Sequence, residues 1–136
     1  MKRNVEKYDY QVLNDAKNIL MEIDMPKELY NPRCVMIFCA CAQMIDGKSW
    51  RHISEEYMSV HDIIKYVNEV FPNKAGLDKK GYQENSRETF RDETLKRWVS
   101  AAIIESKAGL AANDRNNGYR FTSAFAALIR TYGSDQ

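Results

Sequence analysis

No stretch of this chain approaches the roughly 18 consecutive apolar residues that would suggest a membrane-spanning helix. Its opening residues, Met1-Lys2-Arg3-Asn4-Val5-Glu6-Lys7, lead into no apolar segment, so no secretory leader is expected. Cysteine is scarce and odd in number: Cys34, Cys39 and Cys41. Three thiols make no disulfide framework and suit a reducing compartment, so a cytoplasmic protein is expected. They make no metal set either. No histidine is near them, and on a helix Cys39 and Cys41 point about 200° apart. Buried thiols without a metal are expected. Gly-rich phosphate loops, nucleophile elbows and paired zinc ligands are absent, and no cofactor is implied. Repeats and low-complexity tracts are absent as well. A strong net charge is also lacking: the whole chain sums to +1.

What remains is an ordinary globular composition. The chain has 136 residues, 44% of them hydrophobic and 29% charged, which predicts one domain (1–136) around a single core. Its charge is unevenly spread. Residues 1–71 carry 9 Lys+Arg against 11 Asp+Glu, whereas residues 72–120 carry 10 against 7. The mild basic excess therefore falls in the second half.

Hydrophobic spacing predicts five helices. The first covers about 8–23, with Val12, Leu13, Ala16, Ile19, Leu20 and Ile23 at helical intervals and Pro26 just beyond. The second covers 32–46, with Asn31 as cap and Pro32 in its first turn. Its run from Cys34 to Ala42 is apolar all round, as in a helix at the centre of a bundle. It is expected to end near Asp46-Gly47. Residues 48–57 read as a connector anchored by Trp50 and Ile53. The third helix, 59–71, starts at Ser59 with Asp62 as capping partner, turns Val60, Ile63, Ile64, Val67 and Phe71 inward, and is followed by Pro72. A loop over 73–84 follows, long for a helix-turn-helix turn. The fourth helix covers 86–101, capped by Asn85 or Ser86 with Glu88 in capping-box position to Asn85. A β-hairpin over 103–122 comes next, its Asn117-Gly118 pair reading as a turn that tolerates positive φ. The fifth helix covers 123–132, with Gly133 as C-cap.

Helix, strand, polar loop and strand, in that order, are the tail of a winged helix-turn-helix. That arrangement usually sets the helix in the major groove of DNA and the loop against the backbone. On the fourth helix, Leu95, Trp98, Val99 and Ala102 share a core-facing side. Ser86, Thr89, Glu93, Lys96, Arg97 and Ser100 lie opposite. Arg87 and Arg91 fall at the edge nearer the core, and Phe90 at the other edge. Ser, Thr, Lys and Arg supply donors for phosphates and guanine edges. Glu93 either accepts from a cytosine amino group or pairs with Arg97 at i,i+4. The bland competitor is a solvated face laced by ion pairs. In the hairpin loop Lys107, Arg115, Asn116 and Asn117 are candidate phosphate contacts, and the competitor there is a polar loop with no partner.

Two segments, Glu105-Ser106-Lys107 and Asp78-Lys79-Lys80, match the acid-x-Lys half of a metal-dependent nuclease motif. The required upstream Asp on an adjacent strand is missing, since no Pro-Asp pair occurs and the residues before Glu105 read as helix. No catalytic residues are assigned.

The segments Tyr57-Met58-Ser59-Val60-His61-Asp62-Ile63-Ile64, Pro72-Asn73-Lys74-Ala75-Gly76-Leu77-Asp78 and Tyr82-Gln83-Glu84-Asn85-Ser86-Arg87-Glu88-Thr89-Phe90-Arg91-Asp92 resemble the N-terminal helical domain of BsuBI/PstI-type restriction endonucleases. Asn113-Asp114-Arg115-Asn116-Asn117 with Tyr119-Arg120 resembles the same domain's hairpin. The resemblance is strongest from Ile53 to Thr122. It implies a winged-helix DNA-binding domain that precedes a metal-dependent nuclease domain cutting short palindromic sites. It also makes Arg87, Thr89 and Arg91 candidate DNA contacts, whereas helical spacing favours Thr89, Lys96 and Arg97. With no second domain in these residues, the chain is expected to be the N-terminal part of such an enzyme or a free-standing relative, not cleaving DNA alone.

The sequence thus predicts a mostly α winged helix with a small hairpin that binds double-stranded DNA as the recognition module of a type II restriction enzyme. A C-terminal nuclease domain or a homodimer partner would complete it. The alternatives are a free-standing winged-helix transcriptional regulator, a winged helix used for protein–protein contact, and a weak nuclease.

Overall fold

The computed structural model describes residues 5–45, 48–71, 82 and 83, 86–107, 109–111 and 114–132, with side chains from residue 11 onward. Helix α1 runs Val5–Glu22 and buries Val12, Ala16, Ile19 and Leu20 along one stripe. It begins three residues before the position expected from hydrophobic spacing, because a helix can extend upstream through polar residues that carry no apolar period. It closes at Asp24, whose φ of 62° is left-handed, just ahead of Pro26.

Helix α2 spans Pro32–Ala42. Asn31 caps it by accepting a bond from the Cys34 N–H at 2.9 Å, with proline at the first turn where no donor is missed. All nine residues from Cys34 to Ala42 are buried, the three thiols among them. The helix stops four residues earlier than expected. Gln43 turns left-handed at φ 54°, and its side-chain amide donates to Ser54 Oγ at 3.0 Å. Asp46 and Gly47 lie outside the described residues.

Phe38 on α2 is the centre of the core. Its ring lies 6.0 Å from that of Trp50, 5.9 Å from Trp98, 5.1 Å from Phe121 and 6.2 Å from Phe125, in tilted or edge-on contacts that suit the ring quadrupole. These four rings come from four different parts of the chain, so one side chain ties the connector, the fourth helix, the hairpin and the last helix together. Trp50 is further fixed to α1 by donating from its indole Nε1 to Asp15 Oδ2 at 3.1 Å. Ile53, the second expected anchor of the connector, is buried too.

Helix α3, Val60–Val70, is capped by Ser59, which accepts from the Asp62 N–H at 3.0 Å. Helix α4, residues 87–100, is continuous but not uniform. Arg87–Phe90 is α-helical, Arg91–Leu95 forms a π-turn, and Lys96–Ser100 is α-helical again. Ser86 already has helical backbone angles and makes no side-chain cap, so the expected capping role is not filled by it; Asn85 lies outside the described residues.

The chain leaves α4 through Ala102 at φ 64°. It then forms β1, Ile104–Ser106, which pairs antiparallel with β2, Tyr119–Phe121. Glu105 stands opposite Arg120 in this register. Met58 adds a third, one-residue rung: it exchanges N–H···O bonds of 2.9 and 2.8 Å with Tyr119. The connector before α3 thereby joins the sheet, a feature too short to leave a sequence period. Helix α5, Ser123–Tyr132, opens with the Phe125 N–H donating to Thr122 Oγ1 at 3.3 Å, and Gly133 lies outside the described residues. Among the described residues, five helices and a two-stranded wing make this a mostly α winged helix-turn-helix. Among the described residues no helix is long and apolar enough to cross a membrane.

Candidate nucleic-acid interface

The π-turn governs what α4 presents. One extra residue in a helical turn rotates everything after it by about 100° relative to an unbroken helix. Phe90 therefore swings into line with Leu95 and Trp98, and all three are fully buried. A regular helix from this sequence leaves Phe90 at an edge, which is where spacing alone put it. Thr94, also buried, places its Oγ1 3.1 Å from Cys34 Sγ on α2 and so satisfies a hydroxyl inside the core.

The same rotation sorts the polar side chains into three rows. Glu88, Asp92, Lys96 and Ser100 form the exposed crest. Arg87 and Arg91 flank it, both half-buried, and Arg91 is near enough to Tyr119 on β2 to interact with it electrostatically. Thr89, Glu93 and Arg97 flank it on the other side, toward the start of α2. There Glu93 meets Arg33 at 3.5 Å and Arg97 meets Glu28 at 3.9 Å. Glu93 thus pairs across helices with Arg33, whereas spacing alone suggested Arg97. On the crest Asp92 accepts from Arg91 Nε at 2.8 Å and lies 3.6 Å from Lys96 Nζ. The Arg91 hydrogen bond holds the Asp92 carboxyl below the ordinary aspartate value. Ser86 stands half-buried at the head of the helix.

In the wing the candidates divide. Arg115 and Asn116 are exposed at a tight turn in which the Asn116 N–H donates to Asp114 Oδ1 at 2.8 Å. Asn117 is turned inward and is 5% exposed. Its Oδ1 accepts from the N–H groups of Lys107 (3.2 Å) and Gly118 (2.8 Å), and its Nδ2 donates to the Ala111 carbonyl (3.3 Å). Its amide latches the two sides of the hairpin together, leaving it without the role of a phosphate donor. Gly118 does not have positive φ; the left-handed glycine is Gly109, at φ 81°. Asn117-Gly118 is therefore the entry to β2, not the hairpin tip.

Lys107 lies with Nζ 5.6 Å from the centre of the Tyr57 ring. Arg120 stacks on that ring at 4.3 Å while its Nε donates to Glu105 Oε2 at 2.7 Å. Sequence reasoning named neither Tyr57 nor Arg120 as a site residue. The alternation of β2, with Tyr119 and Phe121 buried and Arg120 between them, was the signal available for Arg120. Glu105-x-Lys107 does not fit a catalytic cation site: Arg120 holds the carboxylate, and among the described residues no three His, Cys, Asp or Glu side chains gather where they could hold a metal ion. Asp78-Lys79-Lys80 lies outside the described residues.

Comparison with known proteins gives this architecture a family. A family model described as the BsuBI/PstI restriction endonuclease HTH domain matches residues 10–136. The type II restriction enzyme BsuBI of Bacillus subtilis is 23% identical over 127 residues, which span 91% of this chain and 38% of that enzyme. The solved structure of SdaI restriction endonuclease superposes with a TM-score of 0.77 at 25% identity, covering 90% of this chain and 37% of SdaI. The chain thus spans under two fifths of the length of either relative. It belongs to the BsuBI/PstI restriction endonuclease HTH domain family.

Proposed function

We propose that this chain binds double-stranded DNA sequence-specifically, as the recognition module of a type II restriction endonuclease, with cleavage residing in a separate nuclease domain. The observation that carries the reading is the presentation of α4 beside a cation-bearing wing within a domain of this family. A helix in the major groove with a hairpin against the backbone divides the work in the usual way: helix side chains read base edges, and wing cations neutralise phosphates. On this reading Ser86, Arg87, Thr89, Arg91, Glu93, Lys96 and Arg97 line the groove side, and Lys107, Arg115 and Asn116 the backbone side. The ion pairs at Arg91 and Arg97 do not oppose it. Their acidic partners Asp92 and Glu28 are exposed, so solvent screens both pairs and phosphates can displace them.

The test is a gel-shift series with random and palindromic duplexes at two salt concentrations. Affinity that falls steeply with salt, with a subset of palindromes retained at the higher salt, is the expected result. Absence of any duplex binding at low salt would sink the reading and favour a winged helix used for protein contact. Mg²⁺-dependent nicking that is lost on Glu105→Ala would instead point to a nuclease within these residues.

A further inference from the structure

The outer face of the wing carries a cluster that the groove-facing helix does not explain. Met58 bonds to Tyr119 as a third strand, so Tyr57, Arg120 and Glu105 fall on one face of the sheet, opposite the buried Tyr119, Phe121 and Ile104. Tyr57 lies under two cations at once, Arg120 at 4.3 Å and Lys107 at 5.6 Å. Glu105 pairs with Arg120 at 2.7 Å, and Glu55, which also acts on Arg120 electrostatically, pairs with Arg130 at 2.7 Å. Two positive charges thus lie over one ring on a half-open surface. A guanidinium has five N–H donors, and the Glu105 pair uses the one on Nε.

The cluster is built, not incidental. Gly118 sits where a Cβ would come within 3.0 Å of Tyr57 Cβ and 3.3 Å of the Met58 carbonyl oxygen, so a glycine there lets Tyr57 close against the wing. The backbone of Lys107 is held from the same place. Its N–H donates to Asn117 Oδ1 at 3.2 Å and to the Gly118 carbonyl at 3.3 Å. Two long cationic side chains are thereby ordered in advance over one aromatic face, which removes much of the entropy cost of ordering them on a ligand.

We propose that Lys107 and Arg120, with the Tyr57 ring as their positioning platform, form a phosphate-backbone contact of the wing. The ligand is the sugar–phosphate backbone of duplex DNA, bound without regard to base sequence. The inference rests on the DNA-binding reading above and adds Tyr57 and Arg120 to it. Each cation that meets a phosphate releases about one condensed counterion, so each has its own signature in the salt dependence.

The experiment measures duplex affinity against salt for the full chain and for Lys107→Gln, Arg120→Gln, Arg120→Lys, Tyr57→Leu and Tyr57→Phe, each checked for a parent-like melting profile. The two glutamine variants should each lower the log–log slope by about 1, equally for random and palindromic duplexes. Arg120→Lys should keep the parent slope. Tyr57→Leu should weaken all duplexes by several-fold while Tyr57→Phe binds like the parent, since the ring and not the hydroxyl is the platform. A parent-like slope for Arg120→Gln in a folded variant overturns the proposal and leaves the DNA-binding reading intact. Should Arg120→Gln fail to fold, Arg120→Lys and Lys107→Gln decide: a parent slope in Lys107→Gln overturns it equally. A parent protein that binds no duplex overturns both.

Discussion

Asn68 and Tyr82 are joined by a reciprocal pair of hydrogen bonds: Asn68 Nδ2 donates to the Tyr82 carbonyl at 2.8 Å, and the Tyr82 N–H donates to Asn68 Oδ1 at 2.9 Å. A side-chain amide here replaces a backbone partner and ties Tyr82, which precedes α4, to α3. The Tyr82 ring then meets Phe90 edge-on at 5.0 Å. In a helix-turn-helix the angle between the two helices is normally set by a short turn. Here Tyr82 links the two helices, clamped to Asn68 on α3 and packed against Phe90 on α4. Asn68→Ala should cost about 1–3 kcal/mol in denaturant unfolding, because it strands two backbone groups of a half-buried residue. DNA affinity should fall further than stability alone explains, since α4 loses its anchor. A variant that unfolds and binds like the parent would show that α4 is held by its core contacts alone.

The glycines of the wing give a second, paired prediction. Gly118→Ala puts a Cβ against Tyr57 and Met58 and should destabilise by about 1–3 kcal/mol through overpacking. Gly109→Ala meets nothing within 4 Å but keeps a left-handed φ of 81° that an L side chain rarely adopts, costing about 1–2 kcal/mol. The mechanisms differ. Gly118→Ala should be partly relieved in a Tyr57→Gly background, which removes the Cβ that it meets at 3.0 Å, whereas Gly109→Ala should not. Thermal unfolding of the four variants separates the two.

These cases mark where the sequence is legible. Local signals were sufficient for the caps at Asn31 and Ser59, for the buried run of α2, for the connector anchors Trp50 and Ile53, and for the order of helix, strand, loop and strand. What sequence reading missed has no local period. Met58 contributes a one-residue strand, and nothing in its neighbours marks it. The π-turn of α4 shifts Phe90 from an edge to the core, and periodicity assumes a uniform turn. Glu93 pairs with Arg33, sixty positions away, so the i,i+4 rule pointed to the wrong partner. Asn117-Gly118 carries a strong turn signature, yet both residues are used for close approach and latching within the sheet.

The thiols carry a pH prediction. Burial raises the Cys34 thiol and pushes Cys41 up to about 12. In the unfolded chain Cys41 ionises near its ordinary value of 9.0, while in the fold it stays neutral. Its folded value lies above its unfolded one, so its contribution to stability is complete below pH 9 and is lost as pH rises toward 12. Denaturant midpoints should therefore fall more steeply as pH rises from about 9 toward about 12 in the parent than in Cys41→Ala. A thiol-labelling reagent should modify none of Cys34, Cys39 and Cys41 before unfolding. Rapid labelling of the native protein, or an identical pH profile in Cys41→Ala, would remove burial as the cause.

The last prediction separates the arginines of α4. The π-turn sends Arg91 toward β2 and Arg97 toward Glu28 in the short turn ahead of α2. If the helix and the wing embrace the same stretch of duplex, the Arg87 and Arg91 flank faces the bases between them, and the Arg97 flank lies further away. An arginine aimed at guanine O6 and N7 is worth about 1–3 kcal/mol of choice against a wrong base, whereas one holding a phosphate lowers all affinities alike. Arg87→Ala or Arg91→Ala should therefore narrow the gap between a preferred site, selected from random duplexes, and its single-base mismatches. Arg97→Ala should leave that gap unchanged and weaken every duplex slightly. Glu28→Gln, which frees Arg97, should strengthen binding to all duplexes by a small factor. Arg97→Ala abolishing discrimination while Arg91→Ala leaves it intact would place the bases on the opposite flank of α4. If all three alanine variants bind like the parent, α4 is not the reader and the recognition role fails with it.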